Sequence, residues 1–162
     1  FERVVQQHGV PHYIKIDIEG LDMVCVKAFA KFRARPDYIS IESDKTSFAG
    51  LQREIETFTA LGYDAFQCVE QLAIPEAQVP PNPPREGKYA AHQFEDGCSG
   101  LFGAELPGQW LSQDEVLRRY RWICRGYFLV GDKGILSKKF PGIKHLRSLA
   151  KRIIGHFTKA KV

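Results

Sequence analysis

The chain has 162 residues, a net charge of +4 and 44% hydrophobic residues, which suffices for one domain with a sizeable core and excludes bulk disorder. No run approaches the roughly 20 apolar residues of a membrane-spanning helix. Charge is unevenly placed: residues 1–132 hold 14 Lys/Arg and all 19 Asp/Glu, a net −5, whereas residues 133–162 hold 9 Lys/Arg and no acid, a net +9. An acidic body with a basic tail is not a uniform nucleic-acid-binding surface, and no nucleic-acid partner is expected.

The opening Phe1-Glu2-Arg3-Val4-Val5 reads as helix interior and lacks the basic start and apolar run of a signal peptide. A fragment, or a processed chain, is therefore expected. The first helix stops at Gly9, with Pro11 just beyond. Residues 13–18, Tyr-Ile-Lys-Ile-Asp-Ile, form a β-branched run and predict a strand. Apolar residues at 21, 24, 25, 28, 29 and 32 give the spacing of an amphipathic helix over 21–33. Pro36-Asp37 ends it, and residues 38–42, Tyr-Ile-Ser-Ile-Glu, predict a second strand. Ser47 suits the cap of a helix that runs to about Leu61 and ends at Gly62. Residues 63–74 predict a third strand. Strand, helix, strand, helix, strand is the pattern of an α/β sheet with parallel strands and right-handed crossovers.

Residues 75–107 are Pro- and Gly-rich, with the cluster Pro80-Pro81-Asn82-Pro83-Pro84, and predict an irregular insertion, either a lid or a surface loop. Ser112 before Gln113-Asp114-Glu115 signals a helix to about Cys124. Residues 127–130 suggest a last strand. No internal repeat is evident. In the tail, Ile143, Leu146, Ala150, Ile153, Ile154 and Phe157 share one helical face, with Lys and Arg on the flanks. Such a basic helix packs on its own domain, contacts a membrane surface through residues 143–157, or docks on a partner. The domain reading is thus a body over 1–132, with 75–107 as insertion, and a basic amphipathic tail over 133–162.

The four cysteines, Cys25, Cys68, Cys98 and Cys124, form no C-x-x-C pair and have no His at zinc-ligand spacing. Cys25 and Cys68 read as core thiols. This usage fits a reducing, cytoplasmic location, peripheral to a membrane if the tail binds one.

Along the first strand Ile14, Ile16 and Ile18 alternate with Lys15, Asp17 and Glu19. Charges are costly inside a sheet covered on both faces but fit where a strand leaves it. Asp17 and Glu19 occupy that exit, and Glu42 holds the same place on the next strand. In open parallel sheets ligands lie beyond the carboxyl ends of the strands. A competing reading has Asp17 or Glu19 capping the next helix, Lys15 paired with one of them, and Asp22 complementing the helix dipole.

The stretch Tyr13-Ile14-Lys15-Ile16-Asp17-Ile18-Glu19-Gly20, followed by Arg35-Pro36-Asp37-Tyr38-Ile39-Ser40-Ile41-Glu42, resembles the FkbM-type methyltransferases, whose pattern here is a strand reading K-I-D-x-E-G, a helix, and a strand ending in Glu. Ser99-Gly100-Leu101-Phe102-Gly103 followed by Pro107-Gly108-Gln109-Trp110 is similar to bacterial members. Asp22 departs from the pattern, since many relatives carry Glu there. The resemblance implies the C-terminal half of a Rossmann-like class I methyltransferase sheet, its fourth to sixth strands, with a Pro-rich insertion and a basic helical tail.

It further implies an S-adenosylmethionine-dependent O-methyltransferase acting on a glycan or other hydroxylated small molecule. The main cofactor contacts would precede Phe1, and the fragment would be inactive alone. Methyl transfer to a hydroxyl requires in-line positioning and a proton acceptor. Asp17 is the candidate base, with Glu19 and Glu42 completing the catalytic set. Lys15, Tyr89 and His92 are candidate acceptor-binding residues, with Phe94 beside them. Carboxylates alone do not establish a metal, and none is assigned. The alternative is a non-catalytic Rossmann-like binding or scaffolding module that uses its basic tail.

Overall fold

A computed structural model describes residues 1–44 and 46–130; the basic tail and the membrane or partner reading attached to it lie outside the described residues. The elements are α1 (Glu2–His8), β1 (Tyr13–Ile16), α2 (Asp22–Ala28) continued by a 3₁₀ turn over Phe29–Lys31, β2 (Tyr38–Ile41), α3 (Phe48–Ala60), a 3₁₀ turn over Gln71–Ala73 running into α4 (Ile74–Ala77), a 3₁₀ turn over Gly103–Glu105, and α5 (Gln113–Val130). The described residues mix helix and strand and include a small parallel sheet, which is compatible with an α/β class. Among the described residues no helix is long and apolar enough to cross a membrane. The described chain falls into two compact units, one made of Phe1–Glu42 with Gln67–Trp110, the other of Ser43–Phe66 with the chain from Leu111 onward.

In the first unit β1 and β2 pair in parallel, with Tyr13 opposite Tyr38, Ile14 opposite Ile39, Lys15 opposite Ser40 and Ile16 opposite Ile41. This register aligns Pro11-His12-Tyr13-Ile14-Lys15-Ile16 with Pro36-Asp37-Tyr38-Ile39-Ser40-Ile41, a Pro-x-Tyr-Ile-x-Ile echo spaced by 25 residues. A short internal repeat is therefore present after all. Each proline lies two residues before its strand's first tyrosine, where its missing N–H costs the ladder nothing. The apolar face carries Ile16, which is buried, and the core is completed by Val5, Val26, Phe29, Ile74 and Leu106. Phe1 meets the Phe29 ring edge-on at 5.1 Å, and Lys31 Nζ reaches Glu2 Oε1 at 2.7 Å.

β1 ends two residues before the expected Ile18. Asp22, the first residue of α2, accepts the Ile18 N–H at 2.8 Å, which takes that donor from the ladder and bends the chain. Ile18 is consequently 46% exposed rather than on the core face. Asp22 is itself buried, so it ties the turn besides facing the start of α2.

Two expected strands are absent. Over 63–74, Phe66 makes only an isolated antiparallel bridge, exchanging both backbone hydrogen bonds with Leu111 at 2.8 and 2.7 Å, and the chain turns helical from Gln71. Pro75 in the first turn of α4 supplies the preset φ that favours this. The described sheet therefore has two strands, not three. Residues 127–130 continue α5 instead of forming a strand. Extending an existing helix adds one hydrogen bond per residue fixed, which overrides the β preference of Tyr127, Phe128 and Val130.

In the second unit Leu51, Ile55 and Phe58, at helical spacing on α3, are buried together with Leu61 and Val116. Ser47 caps α3 as expected, its Oγ accepting from Gly50 N–H at 3.0 Å. At the start of α5 the Glu115 carboxylate accepts from both the N–H and the hydroxyl of Ser112, at 2.8 and 2.7 Å. These bonds, the hydroxyl's first, hold the Glu115 carboxyl below its ordinary value of 4.5.

Two outcomes follow. Asp22→Ala leaves the Ile18 N–H without its acceptor and should destabilise the protein by about 1–3 kcal/mol in urea unfolding. Because the Glu115 carboxyl is depressed on folding, its contribution is present above its unfolded value and is lost as pH falls through the folded one. Glu115→Gln should therefore flatten the part of the acid-unfolding curve below about pH 4.5, measured by circular dichroism.

Candidate functional site

The polar face of the β1–β2 pair carries Tyr13, Lys15, Tyr38 and Ser40, since paired residues of a parallel ladder project to the same side. Tyr13 Oη and Ser40 Oγ lie 2.8 Å apart across the strands. The entry half of this face is covered by aromatic rings: Tyr13 stacks flat on Phe102 at 4.2 Å, and Tyr38 packs against Trp110 at 5.8 Å. Phe102 ends the irregular segment and Trp110 follows shortly after it, so the segment is anchored on the sheet.

At the exit, Asp17 and Glu42 are each the first residue beyond the ladder, following the paired Ile16 and Ile41. They therefore occupy equivalent positions, each just past the end of its strand. Both are exposed. Lys15 Nζ lies 2.9 Å from Asp17 Oδ2, so the competing reading of Lys15 as an ion-pair partner describes what it does. An exposed pair of this kind stabilises by roughly 0.2–1 kcal/mol; its larger effect is to orient the Asp17 carboxylate. Glu19 stands in the following turn with φ 45°, a left-handed conformation that disfavours a side chain with a Cβ, and it is exposed.

Tyr89 and His92 lie exposed on the irregular segment, and His92 packs its ring edge-on against Phe94 at 4.9 Å. The His92 ring contact is thus within its own segment, while Lys15 and Asp17 are joined directly. Among the described residues no group of three or more His, Cys, Asp and Glu side chains is arranged to hold a metal ion. All four cysteines are thiols, and each is half-buried rather than in the core.

The entry end of the sheet holds a second charged cluster that the residue-by-residue reading missed. His12 Nδ1 lies 2.7 Å from Asp37 Oδ2, and His12 Nε2 lies 3.3 Å from Glu86 Oε2. The hydrogen bond to Asp37 raises the His12 pKa above 6.5; burial, the next largest effect, opposes it, and the charge of Glu86 adds to the rise. The signal for half of this cluster was the Pro-x-Tyr echo, which puts His12 and Asp37 at equivalent places before the two strands. Glu86 carried no such mark.

The segment's anchor depends on close approach. Gly103, at φ 59°, lies where a Cβ would run into the Glu86 carboxylate and the Tyr38 ring. Gly100, at φ 75°, lies against Gln78 and Ile74, and the buried Gln78 accepts from Leu101 N–H at 2.7 Å. Gly103→Ala should therefore cost both backbone strain and a steric clash, on the order of 2–4 kcal/mol. In contrast, Glu19→Gly relieves a left-handed side chain and should be neutral to about 1 kcal/mol stabilising; both shifts are read from urea midpoints.

No protein-family model, curated protein or solved structure matches the chain, so the functional reading rests on its own residues.

Proposed function

We propose that this chain is the acceptor-side part of an S-adenosylmethionine-dependent O-methyltransferase of the FkbM type, with a Rossmann-like sheet to which β1 and β2 belong. The observation that carries the reading is the parallel pair whose first residues beyond the ladder are Asp17 and Glu42. It supports an acceptor crevice at the carboxyl ends of the strands, the usual ligand position in open parallel sheets. The K-I-D-x-E-G stretch supports the family.

The described residues do not fit the cofactor's nucleoside. The turn after β1 has a single glycine, Gly20, where an added Cβ would meet nothing within 4 Å. Cofactor contacts are therefore assigned to none of these residues, and their part is confined to the acceptor. When bound, S-adenosylmethionine supplies an electrophilic methyl group. Asp17, held by Lys15 at 2.9 Å, accepts a hydrogen bond from the acceptor hydroxyl and takes up its proton, an effect worth roughly 10²–10⁴-fold in rate. Glu42, and Glu19 in the turn, orient neighbouring hydroxyls of a glycan or other hydroxylated small molecule. Tyr89 and His92 extend this surface from the irregular segment. Half-buried thiols suit the reducing cytoplasm.

Calorimetry of the full-length protein with S-adenosylmethionine tests the reading. Binding is expected, and its absence would favour a non-catalytic binding module instead. Asp17→Asn should then lower turnover by about 10²-fold or more while leaving cofactor affinity within a factor of about two. Turnover at the wild-type level would remove Asp17 from the chemistry.

A further inference from the structure

His12 stands outside the acceptor chemistry, yet it joins three separate parts of the first unit: the entry to β1, the entry to β2 through Asp37, and the irregular segment through Glu86. We propose that His12 is a pH-responsive latch that holds the irregular segment, at Glu86, against the entry end of the β1–β2 pair. The proposal is independent of the methyl-transfer reading.

The geometry requires a particular protonation state. Both ring nitrogens face a carboxylate oxygen, at 2.7 and 3.3 Å, and only the imidazolium carries an N–H on each. A neutral ring keeps one proton. The shorter contact to Asp37 retains it, and the Nε2 lone pair then faces the Glu86 carboxylate. Attraction at that contact becomes repulsion, and Asp37 and Glu86 are left as like charges on either side of an uncharged ring. The other ring facing His12 is Tyr38, edge-on at 5.3 Å. The charged groups acting on the imidazole are Asp37 and Glu86, both acidic.

Glu86 is placed to transmit the change. Its second carboxylate oxygen accepts from Ala104 N–H at 3.0 Å, and its own N–H donates to Glu105 at 2.8 Å. Next to it, Arg85 donates to the carbonyls of Ala104 and Leu106, both at 2.9 Å. Residues 85–86 and 103–106 thus form one braced piece, and this piece carries Phe102 to its stack on Tyr13. His12 ties the piece to the strand entries by charge.

The sign follows from the raised His12 pKa. The latch is fully engaged below the unfolded value near 6.5 and is released as pH rises through the higher folded value.

The test is amide hydrogen exchange at Glu86 and Ala104 between pH 6 and 8.5, corrected for the intrinsic pH effect, alongside the ¹⁵N titration of the His12 ring. In the wild-type protein, protection at Ala104 should fall by a factor of about 2–5, the range one exposed ion pair allows, with the midpoint of the His12 titration above 6.5. His12→Gln should show no such step. Glu86→Gln, which keeps an acceptor for Ala104 N–H, should lower the His12 midpoint and remove the step, and it decides the case in which His12→Gln does not fold. Protection that is flat with pH in the wild-type protein, an equal fall in either variant, or a His12 midpoint at or below 6.5 would overturn the latch.

Discussion

The in-register parallel pairing of two Pro-x-Tyr-Ile-x-Ile segments is the constraint on which the first unit depends. In a parallel ladder every residue shares its face with its partner, so one register sorts the whole unit into levels. The entry level sets His12 beside Asp37. The middle level puts Tyr13, Tyr38 and Ser40 on one face and the isoleucines on the other. The exit level puts Asp17 and Glu42 at equivalent positions, each just past the last paired residue of its strand. A slip of one residue would exchange the faces, bury Lys15 and Ser40 and expose the isoleucines. The preference for burying Ile16 therefore also fixes where the carboxylates stand.

The irregular segment is held by a different logic. It has no regular secondary structure from Gln78 to Phe102, so its backbone groups must find partners one at a time. Gln78, Arg85 and Glu86 provide them for Leu101, Ala104 and Leu106. Gly100 and Gly103 permit the approach. Aromatic stacking then supplies the contact to the sheet, where Phe102 lies nearly parallel to Tyr13 at 7°. Polar side chains set the path of the segment, and rings seat it.

Local patterns made much of this legible. The helices beginning at Glu2, Asp22, Phe48 and Gln113, the Ser47 cap, both strands and their parallel sense follow from periodicity, turn residues and caps. The misreadings came from interactions that cross the sequence. The strand expected over 63–74 failed because Phe66 spends both backbone groups on Leu111, a partner 45 residues away that carries no local mark. The strand expected over 127–130 failed because aromatic residues there follow a helix already propagating. At the site, Asp17 and Glu42 were visible as charges ending β-branched runs. Glu86 was not, since it lies in a segment whose course is set by side-chain hydrogen bonds rather than by any periodic pattern.

The two ends of the sheet treat negative charge in different ways, and the difference bears on what each can do. At the exit, Asp17 has a lysine as its partner; at the entry, Asp37 and Glu86 share a histidine. Histidine is the side chain whose ordinary charge change falls near neutrality, so the entry can respond to pH. The contact that would vary is then the one holding the irregular segment. The exit carboxylates and the entry histidine are separated by strands of only four residues, Tyr13–Ile16 and Tyr38–Ile41. Over so short a span the ladder itself links them, and the Tyr13 ring, stacked on Phe102 and bonded to Ser40, lies on the path between the latch and the carboxylates.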